Sequence, residues 1–453
     1  MGEMRVPDWA LWGASTQRAV ENFPIAMRPL PGALIHALGT LKAACAQANR
    51  DLAVLPPEPA AAIIKAAEQV ALGRHDRHFP VDVFQTGSGT STNMNANEVI
   101  ANLANIALGG RPGARAPVHP NNHVNMGQSS NDVFPTAMHI ACALATSDLI
   151  ASLTRVFKVL HEHAARWEGI VKIGRTHLMD ATPIRLGQVF GGYAAQIRDA
   201  LSRAEAGLDE LRRNLPIGGT AVGTGLNTHP EFGARVCAIL SARGPITFEK
   251  TRDHCASQAA KDSFVDLSGH LKCIAVSLSK IANDIRHLGS GPRCGLGELK
   301  LPAIQPGSSI MPGKVNPVIS ESVIQVAARV IANDLAVTTA GLGGVGSLFE
   351  LNVAMPLIAD ASLESLALLT NVTQVFVDKL LLDLEPDEEQ CRRNIERSLM
   401  VVTALAPRIG YDQAASLAKR AHQQNRTIRE LALEQGLIAP DELDELLDPL
   451  NMA

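Results

Sequence analysis

One long segment of the chain repeats apolar residues with the spacing of a bundle helix. From Phe264 to Leu288, apolar side chains recur at alternating steps of three and four residues for more than three heptads. At about 1.5 Å per residue, such a helix is roughly 40–50 Å long, which exceeds what a small globular domain requires. Similar spacing occurs over 197–211, 323–337 and 363–380. A chain with several such segments is expected to build its core from a bundle of long helices.

Composition favours the same fold class. Aromatic residues make up only 4% of the 453 residues, and alternating apolar–polar segments are scarce, so the sequence predicts an all-α protein. Changes in pattern predict three parts: a mostly helical domain over 1–128, a long-helix bundle over 129–386 and a small helical domain over 387–453. Within them we expect a helix from 131 to about 165 and a capping box that begins at Thr427.

Charge and cysteine content argue against several classes of protein. The formal net charge of −4 provides no basic field for nucleic acid, and no uninterrupted run of about 18 apolar residues is present to span a bilayer. Neither nucleic-acid nor membrane partners are expected. The seven cysteines are scattered without a CxxC pair, which predicts reduced core thiols. The first residues lack a signal or transit pattern, so a cytoplasmic location is expected.

The loop Gly307–Pro317, with the sequence GSSIMPGKVNP, is the most informative stretch for function. Its glycines and prolines permit tight turns that crowd two hydroxyls, a lysine and an amide around one small space. A fixed cation beside a serine suits carbanion chemistry. If a base removes a proton next to a carboxylate, Lys314, Asn316 and loop N–H groups would stabilise the charge that develops. The alternative is a solvated surface loop, which the apolar residues within it disfavour.

Two polar blocks, 86–98 and 119–132, come immediately before or at the start of helical runs. Hydroxyls and exposed N–H groups at a helix start bind anions without a net positive charge. The alternative for both blocks is an ordinary capped turn. No GxGxxG spacing is present in the first block, so a dinucleotide site is not indicated.

Two further blocks are candidates for the site. The segment 174–183 contains His177 beside a turn-forming stretch, and histidine exchanges protons near neutral pH, although a lone histidine is more often structural. The glycine-rich connector 218–230 lacks the GK[ST] of a phosphate-binding loop and predicts a tight turn. The scattered cysteines and histidines offer no ligand spacing, so neither a metal nor another cofactor is expected.

These blocks together resemble the signatures of the fumarase/aspartase superfamily, over essentially the whole chain. GSSIMPGKVNP is the most specific match, and GGTAVGTGLNTHPEF resembles class II fumarases most closely. Fumarases carry histidine in the block that contains His177, whereas aspartases usually carry glutamine. The resemblance implies a homotetramer with a tetrameric helical core and active sites shared between subunits. It also implies a fumarate or malate substrate.

The resemblance assigns roles to individual residues. It implies that Ser308 is the base, His177 the acid–base partner, and Glu321 a carboxylate that pairs with this histidine. The residues implied in substrate binding are Ser88, Gly89, Thr90, Ser129, Ser130, Asn131, Thr176, Ser309, Lys314, Val315 and Asn316. The residues implied in a second anion site are His119, Pro120, Asn121 and Asn122. At that second site the family usually has Asp in place of Asn122 and Arg in place of Ala116.

The expected activity is the reversible hydration of fumarate to (S)-malate. An aspartate ammonia-lyase is the alternative among enzymes, and His177 argues against it. A catalytically silent helical scaffold is the alternative from another class. The intact Ser308, Lys314 and Asn316 argue against a scaffold.

Overall fold

The computed structural model describes residues 2–453, and helices dominate it. The helices are α1 (Ala14–Asn22), α2 (Gly32–Asp51), α3 (Pro57–Ala71), α4 (Thr90–Ala107), α5 (Ser130–Arg166), α6 (Leu186–Arg212), α7 (Phe232–Arg243), α8 (His254–Ala259), α9 (Asp262–Leu288), α10 (Val318–Gly341), α11 (Met355–Phe376), α12 (Glu388–Arg397), α13 (Ala406–Ile409), α14 (Tyr411–Gln424), α15 (Ile428–Glu434), α16 (Pro440–Leu446) and α17 (Pro449–Met452). The strands are β1 (Val171–Thr176), β2 (Met179–Arg185), β3 (Leu299–Lys300), β4 (Ser347–Leu348), β5 (Leu351–Asn352) and β6 (Glu385–Pro386). They form three antiparallel pairs, β1–β2, β3–β6 and β4–β5. The all-α expectation is confirmed.

The periodic segments form helices close to their expected bounds. Helix α9 contains the whole stretch from Phe264 to Leu288, and α5 confirms the helix expected over 131–165. The apolar residues of the α9 repeat up to Ile285 are at most 1% exposed. A stripe of this spacing lies on one face of a helix, so it is buried as a unit while the opposite face stays polar.

The chain folds into two compact units. Unit 1 comprises the residues up to 151, with 202–275 and 327–370, and unit 2 comprises 152–201, 276–326 and 371–453. The unit boundaries fall within the long helices α5, α6, α9, α10 and α11. The three-part division at 128 and 386 stays a prediction.

Part of unit 2 is a small apolar core formed by the C-terminal helices. Val171 and Ile173 of β1 belong to this core, together with residues such as Leu405, Leu417 and Leu431. Alternate residues of a strand lie on the same face, so β1 presents both side chains to the core. The capping box expected at Thr427 is confirmed at the start of α15. The β1–β2 hairpin is therefore anchored on the C-terminal helices.

One expectation from composition stays a prediction, and another needs correction. Helices α5 and α10 are long and apolar enough to span a membrane by length and composition, with 50% and 39% of their apolar windows buried. A helix with a few polar residues reaches the same mean hydropathy as an uninterrupted apolar run, and the core helices of globular proteins pass this test too. The absence of a membrane partner stays a prediction. Among the cysteines, Cys255, Cys273 and Cys294 are exposed rather than in the core.

Close packing of α2 against α3 depends on one glycine. A Cβ at Gly39 would lie 2.4 Å from the backbone nitrogen of Ala71 and 2.8 Å from the carbonyl oxygen of Ala67. We predict that Gly39→Ala lowers the free energy of unfolding by about 1–3 kcal/mol, because rigid backbone atoms must move apart. The measurement is the midpoint of thermal or urea unfolding at a fixed protein concentration.

Gly32→Ala, at the start of the same helix, is the matched control. A Cβ there would have its nearest neighbour, an atom of His36, at 3.6 Å. Since alanine is the better helix former, this variant should keep or slightly raise the midpoint. Equal midpoints for the Gly32 and Gly39 variants would contradict the packing explanation.

Candidate active site

In unit 1, hydroxyls from two separate helix starts form one chain of hydrogen bonds. Ser88 precedes α4, Thr90 begins it, and Ser130 begins α5. The Ser88 Oγ and Thr90 Oγ1 atoms are 2.7 Å apart, and Thr90 Oγ1 is 2.7 Å from Ser130 Oγ. Helix starts carry partial positive charge on their free N–H groups. Hydroxyls and two helix starts in one place suit a bound carboxylate.

Gly89 allows these two helix starts to come together. Its backbone is left-handed, with φ of 69°, and a Cβ would lie 2.2 Å from the ring of Phe134 in α5. Only glycine combines that backbone with so close an approach. Packing alone therefore explains this glycine, and its contact with substrate stays a prediction.

The start of α5 also contacts the glycine-rich connector 218–230. Ser129 Oγ accepts a hydrogen bond from the backbone N–H of Asn131 at 3.2 Å. The side-chain amide of Asn131 donates to the carbonyl of Ala221 at 2.8 Å. Gly218, Gly223 and Gly225 of the connector have φ of 96°, 91° and 72°, so the expected tight turn is confirmed.

In unit 2, His177 lies at the tip of the β1–β2 hairpin. Thr176 pairs with Met179, which leaves His177 and Leu178 as a two-residue turn. Both have positive φ, 57° and 64°, in a turn that normally takes asparagine and glycine. Because His177 and Leu178 occupy these positions in place of asparagine and glycine, the backbone of the turn is strained, and such strain is typical of functional sites. The tip is exposed, with Leu178 at 84%.

The loop Gly307–Pro317 is closed at its neck by two hydrogen bonds. The N–H of Gly307 donates to the carbonyl of Lys314 at 2.7 Å, and Asn316 Nδ2 donates to the carbonyl of Gly307 at 2.7 Å. A Cβ at Gly307 would lie 2.6 Å from the Lys314 carbonyl oxygen, so the neck requires glycine. The Lys314 side chain is exposed and makes no hydrogen bond or ion pair with any residue of 2–453. Its charge is therefore available to a ligand.

Ser308 is half-buried just inside this neck. Its Oγ accepts from the backbone N–H groups of Ile310 and Met311 at 3.3 and 3.1 Å. Donors to a hydroxyl oxygen favour its ionised form over its neutral form. Ser309 and Val315 lie in the same loop and are exposed.

Glu321 lies in the first turn of α10 and is half-buried. Within one chain, no hydrogen bond or ion pair joins it to His177 in the described residues. The pairing of this carboxylate with the histidine stays a prediction.

Of the residues implied in a second anion site, Pro120, Asn121 and Asn122 lie in a π-helical turn over Pro120–Val124, and His119 is its N-cap. His119 Nδ1 accepts from the N–H groups of Asn121 and Asn122 at 3.1 and 3.2 Å, so the neutral ring carries its proton on Nε2. Burial, with Arg115 nearby, lowers the pKa of His119. A neutral ring and an amide at Asn122 provide little charge for an anion, and binding here stays a prediction.

Comparisons with known proteins identify the family. A family model described as Lyase matches residues 2–332, and one described as Fumarase C C-terminus matches residues 401–453. The class II fumarate hydratase of Mycobacterium tuberculosis is 53% identical over 100% of this chain and 94% of its own length. That of Xylella fastidiosa is 51% identical over 99% of this chain and 93% of its own length. The chain belongs to the class II fumarase family.

A solved structure agrees with this membership. The class II fumarase of Schistosoma mansoni matches with a TM-score of 0.95 at 38% identity, over 100% of this chain and 97% of that one. The chain is therefore an enzyme of the hydro-lyase class.

Sequence reasoning missed a buried carboxylate beneath the unit 1 hydroxyls of this fumarase. Asp132 accepts N–H bonds from Ser129, Gly218 and Thr220 at 2.9, 3.0 and 2.9 Å. Burial raises the pKa of Asp132 to about 6, although the three N–H donors and the charge of Lys42 favour the carboxylate. An acidic residue shortly after a serine at a helix start indicates a local cap. No pattern in the sequence predicts the hydrogen bonds from Gly218 and Thr220 of the distant connector to Asp132.

A buried lysine completes this polar layer. Lys42 of α2 is 0% exposed, and its Nζ donates to Asn125 Oδ1 and Gln128 Oε1, each at 2.9 Å. Asn125 Oδ1 also accepts from Asn93 of α4 at 3.3 Å. Burial lowers the pKa of Lys42 to about 8. Together these bonds connect α2, α4 and the segment that leads into α5.

We predict that Asp132→Asn raises the KM for malate at least tenfold, or about 1.4 kcal/mol of binding free energy. An amide nitrogen in place of one carboxylate oxygen would face N–H donors, so the start of α5 and the connector would separate. Steady-state kinetics with malate measures this effect.

Glu98→Gln is the matched control for this substitution. Glu98 is also a buried carboxylate of unit 1, and it accepts N–H bonds from Gly13, Ser15 and Thr16. It holds the start of α1, which carries no predicted site residue, so Glu98→Gln should lower stability and leave KM unchanged. An equal rise in KM for both variants, or no rise for Asp132→Asn, would contradict the proposal that Asp132 holds the start of α5 and the connector in place for substrate binding.

Proposed function

We propose that this enzyme interconverts fumarate and (S)-malate, with Ser308 as base and His177 as acid–base partner. The observation that carries the proposal is the 53% identity, over the full chain, to a class II fumarate hydratase. The geometry of the two units supports it, since hydroxyls, helix starts, a free lysine and an exposed histidine are the groups that this reaction needs.

Ser308 removes the β-proton of malate. A serine hydroxyl is a weak base and needs an environment that stabilises its alkoxide. The two backbone N–H donors to its Oγ and the positive charge of Lys314 supply that environment. As the proton leaves, charge builds on the neighbouring carboxylate. Lys314 and Asn316 stabilise this charge.

His177 protonates the departing hydroxide, directly or through a water molecule. Hydroxide is a poor leaving group, so an acid must act in the transition state. A positioned acid or base contributes about 10²–10⁴-fold to the rate, so electrostatic stabilisation must account for much of the remainder. Glu321 orients the imidazole and stabilises its charged form.

The hydroxyl cluster of unit 1 holds a substrate carboxylate. Ser88, Thr90 and Ser130 are already linked through their oxygens, and Ser129 and Asn131 flank them. Neutral donors at helix starts bind a carboxylate without an opposing counter-ion. Thr176, next to the proposed acid, is a further proposed substrate-binding residue.

We further propose a cytoplasmic homotetramer in which subunits share active sites. Leu335 of α10 is 69% exposed and Phe349, at the β4–β5 tip, is 82% exposed. Together with Leu342 and Leu348, which are 52% and 59% exposed, they form a series of exposed apolar residues along 335–349, and such a series supports a surface that another chain covers. The exposed tip at His177 and Leu178 would then reach the catalytic loop of a neighbouring subunit.

The substrate preference tests the role of His177. Aspartate carries an ammonium that leaves as neutral ammonia, so an acid is needed for malate and is dispensable for aspartate. We expect ready turnover of malate, negligible turnover of aspartate and a severe loss of malate dehydration in His177→Gln. Fumarate absorbance measures both reactions. Faster release of ammonia from aspartate than of fumarate from malate in the unmodified enzyme would refute the fumarase assignment.

Mixed oligomers test the sharing of sites. Ser308→Ala and His177→Asn should each be nearly inactive alone, because each lacks one of the two proton-transfer groups. Subunits of both kinds, unfolded and refolded together, should regain activity, since some sites then combine an intact Ser308 with an intact His177. Native mass spectrometry verifies the mixing. No recovery in verified mixed oligomers would show that these two residues do not meet across an interface.

A further inference from the structure

Unit 2 contains a buried ion cluster beside the hairpin that carries His177. The Glu298 side chain is 0% exposed. Arg175 donates to both of its oxygens, at 2.9 Å to Oε2 and 2.7 Å to Oε1. Lys172 Nζ is 3.2 Å from Oε2, and Asn394 Nδ2 donates to Oε1 at 3.0 Å. Within residues 2–453, each hydrogen-bond or ion-pair partner of this carboxylate is therefore a donor.

The cluster joins two segments that carry proposed catalytic groups. Arg175 is at the end of β1, immediately before Thr176 and His177. Glu298 lies in the segment between α9 and the Ser308 loop, and its own backbone is fixed at both ends. Its N–H donates to the Leu288 carbonyl at 2.8 Å, and its carbonyl accepts from Asp387 at 2.9 Å. Glu298 is thus a rigid point to which the hairpin is attached.

An irregularity in β1 brings Arg175 to this carboxylate. The pairing register with β2 shifts between Ile173 and Arg175. Bulges of this kind turn the following side chain to a new direction. Gly174 permits it, because a Cβ there would lie 2.5 Å from the Thr182 carbonyl oxygen. The strand therefore departs from regular pairing just before its functional tip.

Stability alone is a weak reason for such a cluster. Burial opposes ionisation of Glu298, but Arg175, Lys172 and Asn394 outweigh it and hold its pKa below the usual range. Apolar residues of similar volume often stabilise a core as well as a buried ion pair does. A bidentate arginine–carboxylate pair differs from apolar packing in its fixed direction. The adjacent turn requires such a directional contact, because its two left-handed residues keep their strained backbone only where the surrounding structure holds them in place.

We propose that Glu298 is a positioning residue, whose bidentate bond to Arg175 holds the strained turn so that His177 is aligned for proton transfer. This inference rests on the proposed role of His177 in fumarate hydration. Glu298 touches no substrate in this scheme. Its effect is confined to the orientation of the hairpin tip.

The test is Glu298→Gln in the full oligomeric enzyme. Glutamine keeps the volume but presents an amide nitrogen to one of the Arg175 donors, so the bidentate bond is lost. We expect kcat for malate to fall at least tenfold and KM to change less than threefold, because the unit 1 hydroxyls are untouched. Hydrogen exchange of the amides of 175–180 should become faster, while that of α3, in the other unit, stays unchanged.

Two further variants keep the result interpretable. Asp360→Asn removes another bidentate pair, in which Asp360 accepts from Arg28 at 2.7 Å through both oxygens, and it should leave kcat and hairpin exchange unchanged. Arg175→Lys keeps the positive charge, but a lysine cannot donate to both Glu298 oxygens in the bidentate geometry of an arginine. It should show the same two effects as Glu298→Gln, which covers the case in which Glu298→Gln does not fold.

The outcomes separate this inference from the proposed function. Unchanged kcat, or a lower kcat without faster exchange at 175–180, in whichever of the Glu298 and Arg175 variants fold would overturn the positioning role. If His177→Gln keeps malate dehydration, the proposed role of His177 fails instead. Hairpin exchange in the Glu298 and Arg175 variants is measured independently of activity, so the two failures are distinguishable.

Discussion

Burial of one continuous apolar stripe on each long helix is the interaction on which the rest of the structure depends. In α9 the stripe from Phe264 to Ile285 is almost fully buried. Removal of that much apolar surface from water outweighs the cost of ordering a long chain. Because the stripes fix the long helices, the helix ends become fixed points in space. The polar loops and helix starts of the candidate site are located at such ends.

Buried charges then tie these ends to segments far away in the chain. Asp132 binds the start of α5 to the glycine-rich connector, and Glu298 binds the end of β1 to the approach of the Ser308 loop. Each carboxylate pays a desolvation cost that only several donors can offset. Such groups are tolerated because hydrogen bonds to a charge are directional, and direction is what apolar packing does not supply.

The two units contain different kinds of proposed site residue. Unit 1 contributes neutral donors at helix starts, which are suited to holding a carboxylate without altering its charge. Unit 2 contributes an exposed lysine, a serine with N–H donors on its oxygen and a histidine on a strained turn. The proposed binding residues of unit 1 are buried or half-buried and hydrogen-bonded, whereas Lys314 and His177 are exposed on loops. Exposure of this kind is expected where another chain or a substrate completes the contacts.

Local chemistry in the sequence determined the fold class, the bounds of the long helices, the capping box at Thr427 and the segments proposed to carry the site. Each of these depends on residues that are neighbours in the chain, through helical periodicity, caps and turns. Only the tertiary structure decided that Asp132 reaches Gly218 and Thr220, that Lys42 is buried, and that Arg175 meets Glu298. These contacts join segments separated by many residues. Their formation depends on which distant elements pack together, and no local pattern carries that information.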